Sequence, residues 1–232
     1  MSDAGDLFDE YAAAYEEALS NAIAPSGETR EYFAEGRVAW LKRCLAARGE
    51  KPRSLLDFGC GDGATTPLLL AALEAETAVG IDVSEKSLAL ARKNHATPRI
   101  RFESIDEFQT SGEMDLAYCN GVFHHIAPGH RAEALALVNR ALRIGGLFSF
   151  WENNPWSLAT RYVMSRCAFD RDAIMLTPPE ARGLLRSGGF EILRTDFRFI
   201  FPHALRALRK IEDLVCRLPF GTQYLILCRK VR

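Results

Sequence analysis

The stretch Leu55-Leu56-Asp57-Phe58-Gly59-Cys60-Gly61-Asp62-Gly63 constrains the fold of this chain more than any other part of it. A short, mostly apolar run, Ser54 to Phe58, reads as a buried strand and leads straight into three closely spaced glycines. Glycine reaches positive φ at no steric cost and carries no side chain. Such a run therefore lets a strand turn sharply and brings bare N–H groups against a ligand. A helical pattern follows from Thr65 to Ala75, with Pro67 tolerated in its first turn. The alternation then continues. Ala78 to Ile81 reads as a second strand ending at Asp82, and Ser84 caps a helix through Asn94. Ile100 to Phe102 is a third strand and Met114 to Asn120 a fourth. Arg131 to Arg143 is a helix closed by Gly145 and Gly146, before a fifth strand from Leu147 to Trp151. Strands and helices alternating at this spacing predict parallel βαβ units.

The two ends differ from this middle. A first helix is expected from Leu7 to Leu19, with Leu7, Tyr11 and Tyr15 on one face, broken by Pro25, Ser26 and Gly27. A second, Glu31 to Ala47, turns Phe33, Trp40, Leu41, Cys44 and Leu45 inward. Arg37 sits in the middle of that apolar arc, where a buried guanidinium needs an anionic or carbonyl partner. Past a short helix at Pro178 to Ser187, Phe190 to Ile200 and Thr222 to Lys230 read as an antiparallel pair. Between them, His203 to Leu218 is patterned as a helix with Leu205, Leu208, Ile211, Val215 and Leu218 on one side. Arg206, Arg209, Lys210 and Arg217 lie largely on the other. That insertion either packs on the sheet or forms a cap that touches a substrate or a membrane surface.

With 232 residues, 48% of them hydrophobic, the chain can bury one large core, and no Pro/Gly/Ser-rich linker divides it. We read a single domain, with a helical lid over 1–50, a cofactor-binding core over 51–151, and a substrate-side region over 152–232. A net charge of −1 gives no whole-chain attraction to nucleic acid. Charge is unevenly spread, however: nine Asp/Glu against one Arg from Met1 to Glu35, and eleven Lys/Arg against four Asp/Glu from Arg182 to Arg232. This asymmetry suggests either that the two ends pack together or that the tail faces an anion. The six cysteines form no C-x-x-C pair and have no histidine at ligand spacing, so they read as core residues of a reducing compartment and no metal is expected. The acidic N-terminus has no apolar stretch of the signal-peptide kind, and the aliphatic run Leu68 to Leu73 is too short to span a bilayer. A cytoplasmic location is expected.

Gly59, Gly61 and Ala64 also satisfy the loose dinucleotide pattern, so a nicotinamide-dependent oxidoreductase stays open at this point. Asp82, in Val79-Gly80-Ile81-Asp82-Val83-Ser84, can accept two ribose hydroxyls and locates an adenosine without naming it. The acidic Asp57 stands just before the glycines, where dinucleotide folds usually carry an apolar residue. Taken with Phe102-Glu103-Ser104-Ile105-Asp106, Val122-Phe123-His124-His125-Ile126 and Arg140-Ala141-Leu142-Arg143-Ile144-Gly145-Gly146, the run closely resembles the motif series of the class I, Rossmann-like S-adenosylmethionine-dependent methyltransferases, of the kind that act on small molecules. The resemblance covers Leu55 to Phe150 in motif order and spacing. It implies a doubly wound α/β fold, with a mostly parallel seven-stranded sheet, an antiparallel C-terminal strand pair and an N-terminal helical lid. It also implies S-adenosylmethionine as cofactor, held by Asp57, Gly59, Cys60 and Gly61, by Asp82 and Val83, by Ile105 and Asp106 at the adenine, and by Asn120. Arg37 and Tyr15 are added from the lid. Ile105 departs from the family pattern, where a glycine often precedes the adenine-contacting Asp, and Glu107 to Gly112 lacks a common Leu-Pro.

Ligands of such sheets sit beyond the carboxyl ends of the strands. There His125 and Glu152 are candidates for handling an acceptor proton, while Tyr11, His124, Trp151, Asn153, Asn154 and Trp156 are candidates for acceptor contacts. The expected reaction is in-line methyl transfer to a small-molecule, lipid-linked or glycan-linked acceptor, with an anionic acceptor favoured by the basic tail. The alternatives are an NAD(P)-dependent oxidoreductase and a homologue that binds the cofactor without catalysis.

Overall fold

A computed structural model of the protein describes residues 22–167, 170 and 173–232. The expected helix from Leu7 to Leu19, with Tyr11 and Tyr15, lies outside the described residues.

Helix α1 (Arg30–Ala46) starts at Thr29, whose side chain accepts from the Tyr32 N–H. Then come β1 (Ser54–Phe58), α2 (Thr65–Leu73), β2 (Thr77–Asp82), α3 (Glu85–His95), β3 (Ile100–Ser104) and β4 (Met114–Asn120). They are followed by α4 (Arg131–Ala141), β5 (Leu142–Asn153), α5 (Leu158–Arg166), α6 (Pro178–Ser187), β6 (Phe190–Arg198), α7 (Glu212–Val215) and β7 (Gln223–Lys230). The strands form one seven-stranded sheet in the order β3-β2-β1-β4-β5-β7-β6. β1 to β5 pair in parallel, and β7 runs antiparallel to both β5 and β6.

Strand periodicity explains the two layers around this sheet. Leu56, Phe58, Ala117, Cys119, Phe148 and Phe150 point to one face, where Ala134, Leu135 and Val138 of α4 and Leu185 of α6 cover them. The alternate residues Leu55, Leu116, Tyr118, Leu147 and Trp151 point to the other, under Val38, Leu41 and Leu45 of α1, Leu69 of α2 and Leu88 of α3. A buried Asp196 ties α1 to β6, accepting from Trp40 Nε1 at 2.9 Å and pairing with Arg194. Switching from β1–β2–β3 on one side to β4–β5 on the other opens a crevice at the carboxyl ends of β1 and β4.

Three segments differ from the sequence expectation. β5 begins at Leu142, so α4 ends sooner and Gly145, at φ +79°, lies within the strand beside a register shift against β4. α5 occupies a stretch with no predicted element. The basic tail, expected as one long helix, is a 3-10 segment (His203–Ile211) kinked at Leu205 and joined to the single turn of α7. Of the side chains expected on its apolar face, Leu205, Leu208, Ile211 and Leu218 are exposed and Val215 is half-buried.

Candidate functional site

The crevice is a cavity of about 1600 Å³, running from the glycine turn past the ends of β1, β2 and β4 to α5. Gly59, Gly61 and Gly63 all have positive φ, at +72°, +54° and +78°, but they serve different needs. A Cβ on Gly59 would lie 2.3 Å from Val122, and one on Gly63 2.8 Å from Ala91 and Phe102, so both are packed shut. A Cβ on Gly61 would meet nothing within 4 Å, and that open side is the cavity. Here the chain keeps room for a ligand rather than for itself.

Two carboxylates stand at the strand ends. Asp82 Oδ2 accepts the Gly61 N–H at 2.8 Å and Oδ1 accepts the Ser84 N–H at 3.0 Å, so this residue shapes the glycine turn from below. Burial raises its pKa while those N–H groups pull it down. Asp57 accepts from Thr66 Oγ1 at 2.7 Å, and burial pushes its carboxyl up to about 7. Burial likewise pushes the Cys60 thiol up, so it is an inert, protonated wall. Val83, Ile105 and the exposed Asp106 line the cavity beside Asp82, and Asn120 lines it from the end of β4. Asn120 Oδ1 is buried without a hydrogen-bond partner among the described residues, which marks a place where a donor is missing.

Arg37 is buried on α1 and also faces the cavity. Its Nε donates to Tyr118 Oη at 3.1 Å and one terminal nitrogen donates to Gln223 Oε1 at 3.0 Å. Both partners are neutral, so among the described residues this buried cation has no counter-anion within ion-pair distance.

Across the cavity, the turn after β4 presents His124 and His125, with ring centroids 4.1 Å apart. His124 is buried, its Nδ1 lies 2.6 Å from Glu152 Oε2, and the other Glu152 oxygen accepts the Phe123 N–H at 2.7 Å. Although burial opposes its charge, Glu152 and Asp170 carry His124 up to about 9. Burial, helped by His124, takes His125 down to about 4. At that value His125 is a weak proton acceptor at neutral pH.

Residues 56–148 match the family model described as a methyltransferase domain. That span covers β1 through the middle of β5, and with it the glycine turn, Asp82, Asn120 and the histidine pair. Over that span the chain is similar to methyltransferase domains. It is 33% identical to the trans-aconitate 2-methyltransferase of Deinococcus radiodurans over 118 residues, which are 50% of this chain and 45% of that protein. It is 28% identical to an uncharacterized methyltransferase of Synechocystis, over 66% of this chain and 73% of the relative. In structure it resembles magnesium protoporphyrin IX methyltransferase from Synechocystis, solved with bound S-adenosylhomocysteine, at a TM-score of 0.66, 17% identity and 99% coverage of both chains. The chain spans about a third to just under half of the length of the first curated relatives it matches.

The fold gathers Arg37, Asp57, Gly59, Cys60, Gly61, Asp82, Val83, Ile105, Asp106, Asn120, His124, His125 and Asn153 around one cavity. It takes four others away. Glu152 is buried behind His124 with both oxygens engaged, so it orients the imidazole and does not face an acceptor. Trp151 points to the opposite face of β5, wholly buried beside Phe199. Asn154 is spent on the chain, donating to the Pro219 and Gly221 carbonyls and accepting from the Trp156 N–H. Trp156 stacks on Phe197 at the surface. Sequence reasoning missed Tyr118, Gln223 and Asp170. The first two are adjacent to Arg37 only through the sheet order, and Asp170 lies on a segment without periodic pattern.

Proposed function

We propose that this domain binds S-adenosylmethionine and transfers its methyl group to a small-molecule acceptor. One observation carries the reading: a single cavity joins the Gly61 side of the glycine turn and Asp82 to the His124–His125 wall, so donor and acceptor share one enclosure. The residues fit the cofactor. Gly61 leaves open space against the cavity, Asp82 offers a carboxylate for ribose hydroxyls, and Ile105 with Asp106 flanks the adenine. Arg37, a buried guanidinium with only neutral partners, suits the amino-acid carboxylate. Asn120 Oδ1, lacking a donor, suits the amino group.

A sulfonium supplies an already activated methyl group, so the chain need not generate an electrophile. Its work is positioning and exclusion of water. Phe33, Phe199 and Val163 give the enclosure apolar wall, while His124 and His125 supply polar groups where an acceptor would lie. The basic residues of the tail do not line the cavity: Arg209 is spent on Glu28 and the Phe201 carbonyl, and Arg217 on Asp196. That tail therefore bears on an outer surface. Its exposed Leu205, Leu208 and Ile211 beside Arg206 and Lys210 favour an acceptor carried by an anionic membrane.

Thermal melting tests the cofactor. S-adenosylhomocysteine at 100 times its dissociation constant adds about 2.7 kcal/mol and raises Tm, whereas NAD and NADP leave it unmoved. A shift with NADH and none with S-adenosylhomocysteine would overturn the reading.

A further inference from the structure

Nothing in the spacing of histidines and cysteines along the chain suggests a metal site. The fold nevertheless makes three potential ligand atoms converge. Asp170 Oδ1 lies 3.5 Å from His124 Nε2 and 3.6 Å from His125 Nε2, and the ligand atoms of all three residues fall within 4.8 Å of one another. These separations are too long for good hydrogen bonds, which close to about 2.7–3.2 Å. They fit atoms that share a cation. At metal–ligand lengths of about 2.0–2.2 Å, neighbouring vertices of a tetrahedron stand about 3.4 Å apart.

The backing of His124 points the same way. Glu152 meets Nδ1 at 2.6 Å and is itself pinned by the Phe123 N–H. A carboxylate behind Nδ1 fixes the tautomer, directs the Nε2 lone pair forward and raises its basicity, which is the outer shell that metal-bound histidines commonly have. A cation between His124 Nε2 and Asp170 Oδ1 would take the place of a proton there, while the Nδ1 proton stays with Glu152. All three residues also line the acceptor cavity, so coordination positions remain open toward it.

We propose that His124, His125 and Asp170 bind one first-row divalent cation, whose open positions take an oxygen donor of the acceptor. Two imidazoles and a carboxylate favour ions such as Zn²⁺ or Co²⁺ over Mg²⁺ and Ca²⁺, which want oxygen ligands. The cation site stands on geometry alone; only its role toward an acceptor rests on the function proposed above. In that role it would complete a wall otherwise rich in carboxylate, and it selects acceptors with a hydroxyl, carboxylate or phosphate at the reacting end.

Full-length, tag-free, metal-stripped protein titrated with Co²⁺ tests the site. We expect ligand-field absorption in the visible that saturates at one ion per chain and is abolished by competing Zn²⁺. His125→Asn and Asp170→Asn should each weaken Co²⁺ binding at least tenfold, Glu152→Gln about 10–100-fold through the outer shell, and the exposed His130→Asn not at all. Absence of the band in the wild type, or its survival in both ligand variants, would overturn the site. Calorimetry with S-adenosylhomocysteine on the same samples separates the two readings. Cofactor binding without a Co²⁺ band counts against the metal site alone, and a Co²⁺ band without cofactor binding counts against the methyltransferase function alone.

Discussion

Nδ1 of His124 sits 2.6 Å from Oε2 of Glu152, with both side chains sealed from solvent and both Glu152 oxygens engaged. Replacing that carboxylate by Glu152→Gln keeps the Phe123 contact in shape but removes the charge that holds His124 protonated in the metal-free protein. We expect a loss of about 1–3 kcal/mol at pH 7 by denaturant unfolding. The pH dependence follows from the direction of the shift. His124 is raised from an ordinary 6.5 to about 9, so its stabilising contribution is complete below 6.5 and is lost as pH rises through 9. Metal-free wild type should therefore lose stability between pH 7 and pH 10, and Glu152→Gln should lose less over the same range. Parallel curves for the two proteins would show that Glu152 does not set the His124 charge.

Asp82 has two tasks, and its substitution separates them. Asp82→Ala removes the acceptor of the Gly61 and Ser84 N–H groups, so it should lower stability as well as weaken S-adenosylhomocysteine by about 1–3 kcal/mol. Asp82→Asn keeps one acceptor oxygen and should recover most of the stability and less of the affinity. Gly61→Val and Gly59→Val form a second contrast. Both positions have positive φ, yet only Gly59 meets a protein atom, Val122, at 2.3 Å. Gly59→Val should fold poorly, whereas Gly61→Val should fold, at a cost of about 1–2 kcal/mol for the left-handed backbone, and lose the cofactor. Calorimetry and melting on all four proteins check the pattern. Normal affinity in folded Asp82→Ala would remove the ribose from this carboxylate.

Much of this was legible in the sequence, because strand period and glycine spacing are local. The five parallel strands, the antiparallel end and the cavity lining from Asp57 to Asn120 all follow from short-range pattern. Glu152 shows where the pattern was cut short. Ending β5 at Trp151 made Glu152 a loop residue, whereas the strand continues to Asn153 and puts Glu152 on the buried face of Phe148 and Phe150. Asp170 shows what no local pattern carries. It reaches the histidines through tertiary packing, across a loop anchored where the Ile174 N–H donates to the His124 carbonyl at 2.8 Å. The tail failed for another reason: a heptad-like spacing of leucines predicts an amphipathic helix whether or not a surface is present to bury it.

Arg37 distinguishes a ligand contact from packing. Arg37→Leu keeps α1 apolar and leaves the buried Tyr118 hydroxyl without its donor, a cost of about 1 kcal/mol in stability. If the guanidinium receives the cofactor carboxylate, S-adenosylhomocysteine affinity should fall by about 1–3 kcal/mol, as for loss of a charge-assisted pair. The same variant should bind adenosine, which has no carboxylate, as well as wild type does. Lower Tm with unchanged S-adenosylhomocysteine affinity would make Arg37 a structural residue only.

The tail tests where the acceptor comes from. Leu205, Leu208 and Ile211 are each more than two-fifths exposed, and Leu214 is 83% exposed, on a segment that also displays Arg206 and Lys210. Among the described residues no helix is long and apolar enough to cross a membrane. Apolar residues flanked by cations match an anionic bilayer interface, where a basic residue near the surface contributes about 1 kcal/mol. Full-length protein should therefore sediment with phosphatidylglycerol-containing vesicles at low salt and less so with phosphatidylcholine alone. Arg209 is excluded from the variant because it bonds Glu28 and stacks on Tyr32, and its loss would disturb the cavity rim. Arg206→Glu with Lys210→Glu should cut vesicle binding by about tenfold or more, since each reversal replaces attraction with repulsion, and Leu205→Ser with Leu208→Ser should weaken it independently of salt. S-adenosylhomocysteine affinity should stay at the wild-type value in both double variants, because neither pair lines the cavity. No vesicle binding by the wild type would place the acceptor in free solution, and binding that ignores both the charge reversals and the leucine substitutions would show that the tail is not the membrane-contacting surface.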